Sequence, residues 1–268
     1  DLYKYDCNYD LEWMNYKQHA STFEYSDIFE PGTAYLASYE SAEQFVMKGT
    51  LNETSFIIKY LNYDYEGGKD LRNFNLIGNP FSFDMDWSKV TTVDLAEGYA
   101  IINAEDGSYE YKTSGSIPVG DGFFVKATGE GATFSYTPNT RSSKEKANSI
   151  NVIASGKAGK DNVIVNFAGQ AEGFNKLQNF NDAIATVYVS ENGKNYGIAN
   201  VDENTTEVAL NFNAKEMGNY SISLDVNGEF ETVTLVDRFT GVETNMLIED
   251  EYNFVATSKD MKNRFVVR

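Results

Sequence analysis

The chain has 268 residues, 41% of them hydrophobic and 23% charged, enough to bury one large core or two modest ones without disulfide staples. Forty Asp and Glu against 22 Lys and Arg give a net charge of −18, which opposes binding to nucleic-acid phosphates and to anionic lipid. A single Cys and a single His exclude a disulfide framework and a cysteine-rich zinc site, and the longest apolar runs, such as Phe123-Phe124-Val125, are far too short to span a bilayer.

In chain order, the first predicted element is a strand at Leu2-Tyr3-Lys4-Tyr5, immediately at the start, so a processed or truncated product is expected. An acidic turn and a second aromatic strand, Trp13 to Tyr16, follow. Next comes Pro31-Gly32-Thr33-Ala34-Tyr35-Leu36-Ala37, a glycine turn leading into a strand. Ser41 to Val46 could form a short helical turn, and Phe45 to Asn52 closes this first unit. The same order recurs later: Ala100 to Asn103, Tyr109-Glu110-Tyr111, then Gly120-Asp121-Gly122-Phe123-Phe124-Val125 and a closing strand from Phe134. Aligning Gly32 on Gly120 places Tyr35 on Phe123 and Leu36 on Phe124. The reading is an internal repeat, about 1–60 and 70–140. The second copy also has a leading strand, Phe74 to Pro80, whose counterpart would precede Asp1.

All four prolines and both tryptophans lie at or before Pro138. Residues 139–149 are polar and small, which is linker chemistry, and a boundary is placed near residue 145. Beyond it, Val208-x-Leu210-x-Phe212 and Tyr220-x-Ile222-x-Leu224-x-Val226 alternate with period two, as strands do. Asn192-Gly193 and Asn227-Gly228 are read as two-residue hairpin turns, and Glu172 to Asn179 as a short turn of helix. The fold class is therefore all-β: a duplicated antiparallel β-unit, sandwich or barrel-like, over 1–145. A second antiparallel β-sandwich follows over 149–268, with about seven to nine strands.

Several residues have types suited to chemistry. Cys7 and His19 have the types of a nucleophile and base but no flanking motif; the plainer reading is a part-buried thiol and a loop imidazole. Asn62-x-Asp64-x-Glu66-Gly67 imitates a calcium loop but reaches Asn73, and not Glu, at its twelfth position. It is read as a metal-free bend, and no metal or cofactor is expected. Asp84 and Asp86 form another oxygen cluster without specificity. Tyr3, Tyr5, Tyr9, Trp13 and Tyr16 crowd the N-terminal hairpin; Trp13 and Trp87 are assigned to the core. Tyr5, Tyr9 and Tyr16 are the candidate outward set for stacking on a sugar or anchoring a protein.

Asn75-Leu76-Ile77-Gly78-Asn79-Pro80-Phe81 with Asp86-Trp87 resembles a signature of secreted Bacteroidetes multidomain proteins. Pro31 to Leu36 and Gly120 to Val125 resemble the glycine-aromatic element of the same modules. Leu235-Val236-Asp237-Arg238-Phe239-Thr240-Gly241, Leu247, Tyr252-Asn253-Phe254 and Arg264-Phe265 resemble the end of the domain that follows them, often upstream of a type IX sorting domain. The resemblance implies an extracellular or outer-surface accessory module, without catalysis, serving adhesion or spacing. Its implied partners are a surface protein or glycan and upstream domains of the same polypeptide. A carbohydrate-binding module is the alternative, and a glycoside hydrolase a more distant one.

Overall fold

The computed structural model describes residues 1–9, 12–19, 31–41, 48–52, 54–58, 61–64, 73–140, 147–169, 171–257 and 262–268. Described residues form strands, turns and one 3-10 turn, Trp87–Lys89, and the chain is all-β. It divides into two compact units. One comprises 1–101 and 113–144, the other 102–112 and 145–268.

In the first unit, β1 (Leu2–Tyr5) pairs antiparallel with β2 (Trp13–Asn15) and β3 (Tyr35–Ala37). Strand β4 (Phe56–Ile58) pairs with β12 (Thr133–Tyr136), which also pairs with β7 (Val90–Val93). Strand β5 (Phe74–Gly78) lies in full five-residue register with β11 (Gly122–Lys126), and β11 pairs on its other side with β8 (Tyr99–Ile102). The short β6 (Met85–Asp86) pairs with β10 (Ser116–Ile117).

The two stretches aligned as a repeat share backbone features. Gly32 and Gly120 adopt φ of +83° and +84°, a left-handed turn that suits glycine, and each leads into its strand. Strand β3 returns to β1 through Tyr35↔Lys4 and Leu36↔Tyr3, as β11 returns to β8 through Phe123↔Ile101 and Phe124↔Ala100. The leading strand β5 flanks β11, so Phe123 and Phe124 are fully buried, whereas Tyr35 and Leu36 are half-buried. A bridge from Thr33 to Ile77 and a bond from Gly78 N to the Gly32 carbonyl (2.8 Å) join the two copies. Trp87 lies in the core with Tyr99, Phe123 and Phe134 around its ring.

The second unit contains β9 (Tyr109–Lys112), β13 (Ser149–Gly156), β14 (Gly159–Asn166), β15 (Phe174–Asn175), β16 (Thr186–Glu191) and β17 (Lys194–Asn200). Beyond them come β18 (Val208–Asn213), β19 (Gly218–Asn227), β20 (Thr234–Asp237), β21 (Val242–Asn245), β22 (Tyr252–Ala256) and β23 (Phe265–Val267). Strands β13 to β23 form one eleven-stranded sheet, ordered β21-β20-β23-β18-β16-β17-β14-β13-β19-β22 with β15 on β17, which curls into a nearly closed barrel. The core takes Val208, Leu210, Phe212, Tyr220 and Ile222 from the alternating runs, with Leu224 and Val226 packed against it.

Four expectations change. The sheet has eleven strands where seven to nine were expected, because segments as short as β15 pair. It is not wholly antiparallel: β14 and β17 run parallel, since the chain crosses over between them through β15 and β16. Glu172 to Asn179 is extended and not helical. Phe174, Asn175, Leu177 and Asn179 all turn inward, a spacing no single helix face provides, and Lys176 N bonds to the Asn195 carbonyl. Asn192-Gly193 makes the hairpin between β16 and β17, with φ of 51° and 79°. Asn227-Gly228 does not: β19 pairs with β13 and β22, while β20 pairs with β21 and β23. Val233, fully buried, draws the intervening chain across to the other part of the sheet. Residues 42–47 lie outside the described residues, and so does most of the helical turn expected there; 48–52 carry no strand.

Candidate functional site

The tyrosines singled out from the sequence are all half-buried. The Tyr5 ring packs edge-on against Trp13 (5.3 Å) and Phe124 (4.9 Å), so it faces the first unit's interior and is not an outward platform. The Tyr9 hydroxyl and His19 Nε2 lie 3.0 Å apart, and the two rings meet edge to face. Tyr16 donates its backbone N–H to the Leu2 carbonyl. Cys7 is 3% exposed, and burial, reinforced by the Asp6 charge, pushes its thiol up to about 11. A thiol held protonated at neutral pH is a poor nucleophile.

The oxygen clusters are occupied by backbone. Asp84 accepts from Val119 N, and Asp86 caps the 3-10 turn by accepting from Ser88 N. Within the calcium-like loop, Asn62 and Asp64 donate their backbone N–H groups to the side chains of Asn75 and Asn73. Glu66, Gly67 and the rest of that loop lie outside the described residues. The Asn-Leu-Ile-Gly-Asn-Pro segment has the same structural character. Asn75 returns bonds to the carbonyls of Asn62 and Asn73, and Asn79 donates to those of Phe83, Ile117 and Pro118.

The second unit gathers two buried ionic clusters. In one, Arg264, 1% exposed, donates from Nε and Nη2 to the two Asp237 oxygens (3.0 and 2.8 Å) and from Nη1 to the Val255 carbonyl. Tyr252 OH also donates to Asp237 (3.0 Å), and the guanidinium lies over the rings of Phe239, Phe254 and Phe265. Asp237 ends β20 and Tyr252 begins β22, near the two ends of the open sheet order. The side chains therefore clasp a sheet whose backbone pairing, among the described residues, does not close.

In the other, Lys176 donates to both oxygens of the buried Asp161 (2.9 and 2.8 Å) and to the Asn162 carbonyl (2.7 Å). Its ammonium stands 4.5 Å from the Tyr111 ring centre. Desolvation lowers the Lys176 pKa against the opposing pull of Asp161, and burial raises that of Tyr111. Tyr111 accepts from Leu177 N through its hydroxyl (2.6 Å) and exchanges backbone bonds with the Asn162 side chain. Sequence reading reached Asp237, Tyr252 and Arg264 only as signature positions, and missed Asp161 and Lys176, which carry no local motif.

A cleft of about 630 Å³ opens among the loops before β13, after β14, between β17 and β18, and after β19. Phe167 and Phe230 form an edge-to-face pair there with centroids 5.4 Å apart. Asn148, Glu203, Thr205 and Glu229 also line it. Asn148 receives the Phe167 N–H on its carbonyl, which ties two of these loops together. Comparison with protein-family models, with curated proteins and with solved structures finds no match to this chain.

Proposed function

We propose that this chain is a non-catalytic extracellular module of a larger bacterial surface or secreted protein, serving adhesion or spacing an attached effector. The observation that carries this reading is the use made of its buried ionisable groups. The buried Asp237 holds Arg264 and Tyr252, and the buried Asp161 holds Lys176. Groups saturated in this way stiffen a sheet; acid–base catalysis needs a group within reach of substrate. The signature resemblance supports the same reading. Sugar binding through Tyr5, Tyr9 and Tyr16 stands on weaker ground, because Tyr5 is packed inward and Tyr9 is bonded to His19.

Beads coated with the full chain, drawn by flow over mucin-coated and collagen-coated surfaces, test adhesion. Retention supports it. Absence of retention together with a high unfolding force in single-molecule pulling supports the spacer role. Saturable turnover of aryl glycosides that disappears on carboxylate substitution would overturn both.

A further inference from the structure

The geometry points to the cleft lined by Phe167 and Phe230 as a binding site for a neutral oligosaccharide. This deepens the adhesion reading by naming a ligand class, and rests on it. The cleft combines two kinds of group that a pyranose needs. Half-buried aromatic rings offer an apolar surface to the C–H face of a sugar, and they are held by each other and by the barrel core beneath them. Around them stand the acceptor-only carboxylates of Glu203 and Glu229, the hydroxyl of Thr205 and the amide of Asn148. A concave site with an apolar floor and a few polar groups is the general form of a small-ligand pocket.

The two carboxylates at the cleft face solvent. Among the described residues no ion pair involves Glu203 or Glu229, and both are exposed. This contrasts with Glu207, which is bound by Arg238 and Arg268. Among the described residues the lining contains no Lys or Arg, and its two carboxylates, Glu203 and Glu229, oppose a phosphate, sulfate or uronate. Hydroxyl groups, which donate to carboxylates at no charge cost, fit that lining. The described lining residues belong to the second unit, and the four loops leave strands that are adjacent or near in the sheet order.

The test uses the full chain labelled with ¹⁵N and titrated separately with cellotriose, mannotriose and triacetylchitotriose. Trigalacturonate and a hexa-arginine peptide serve as charged probes. The expected result is a saturable shift of the amides of Asn148, Phe167 and Phe230 with at least one neutral trisaccharide, unchanged by added salt. Phe230→Ala should weaken that binding about tenfold, the effect of losing one aromatic stacking partner. The exposed double variant Glu203→Gln with Glu229→Gln, which leaves the core intact, should weaken it by a similar factor and decides the matter if Phe230→Ala unfolds. No saturable shift with any neutral trisaccharide overturns the assignment. So does tighter binding of trigalacturonate, or binding of hexa-arginine alone that salt abolishes. Bead retention that persists without saccharide binding would sink the cleft assignment and leave the adhesion reading standing; glycoside turnover would sink the reading itself.

Discussion

Asp237 accepts hydrogen bonds from Arg264, from Tyr252 OH and from Phe239 N while 1% exposed. Burial by itself would raise its pKa, but the Arg264 bonds and then the Phe239 N–H hold it below the ordinary value. A carboxylate whose folded pKa is depressed contributes stability that is complete above its unfolded value, near ~3.9, and is lost as pH falls through the folded one. The difference in urea midpoint between the parent and Asp237→Asn should therefore be constant down to about pH 5 and shrink below about pH 4. An undiminished difference at low pH would show that charge is not its source. Arg264→Ala leaves that carboxylate buried without its partner and should cost about 3–5 kcal/mol. Cys7 makes a kinetic prediction. With its thiol at about 11, a disulfide reagent at mildly alkaline pH should label the folded protein far more slowly than the urea-unfolded one. Equal rates would mean that the thiol is not shielded.

At the scale of elements, two Asn-Gly pairs look alike in the sequence and differ in the fold. Asn192-Gly193 closes Glu191 onto Lys194 in the β16–β17 hairpin, whereas Asn227-Gly228 releases β19 toward a distant strand. A turn dipeptide sets the local backbone, but the strand pairing on either side depends on which apolar face finds the core. Glycines in the second unit also serve different ends. Gly193 has open space around it and needs only its φ of +79°, so Gly193→Ala should cost about 1 kcal/mol. Gly197 lies flat beneath Tyr111, and a Cβ there would overlap the ring. Gly197→Ala should cost more, about 1–3 kcal/mol, through displacement of Tyr111. Chemical denaturation of the two variants side by side checks the order; a smaller loss at Gly197 would contradict the packing described for Tyr111.

At the scale of the whole molecule, the division into units does not follow chain order. Residues 102–112 lie within the first stretch of sequence yet belong to the second unit. There Tyr109 N donates to Asn179, Tyr111 exchanges bonds with Asn162, and its hydroxyl receives Leu177 N. A fragment of residues 147–268 would leave these buried partners unsatisfied, at about 1–3 kcal/mol each. Their sum approaches the stability of an ordinary domain, about 5–15 kcal/mol. The fragment is expected to lack a cooperative thermal transition and dispersed amide signals, while the full chain shows both. A fragment that melts as sharply and as high as the intact chain would show that 102–112 is dispensable.

Much of the β-architecture is legible in the sequence because its causes are local. Period-two alternation marks β18 and β19, and the glycine turns read at 32 and 120 are left-handed turns, since such a turn favours its residue wherever it occurs. Of the two tryptophans assigned to the core by position, Trp87 is buried, whereas Trp13 is half-buried against Tyr5 and Phe124. The contacts that matter most to the second unit join residues far apart in the chain. Asp237 meets Arg264 across 27 positions, Tyr111 meets Leu177 across 66, and β14 lies parallel to β17. Such pairings follow from how a sheet curls, in what order its strands add and where two sheet ends approach. None of these leaves a trace in a short window of sequence. The cleft is of this kind as well: Asn148, Phe167, Glu203 and Phe230 share a surface only because their strands end at one rim.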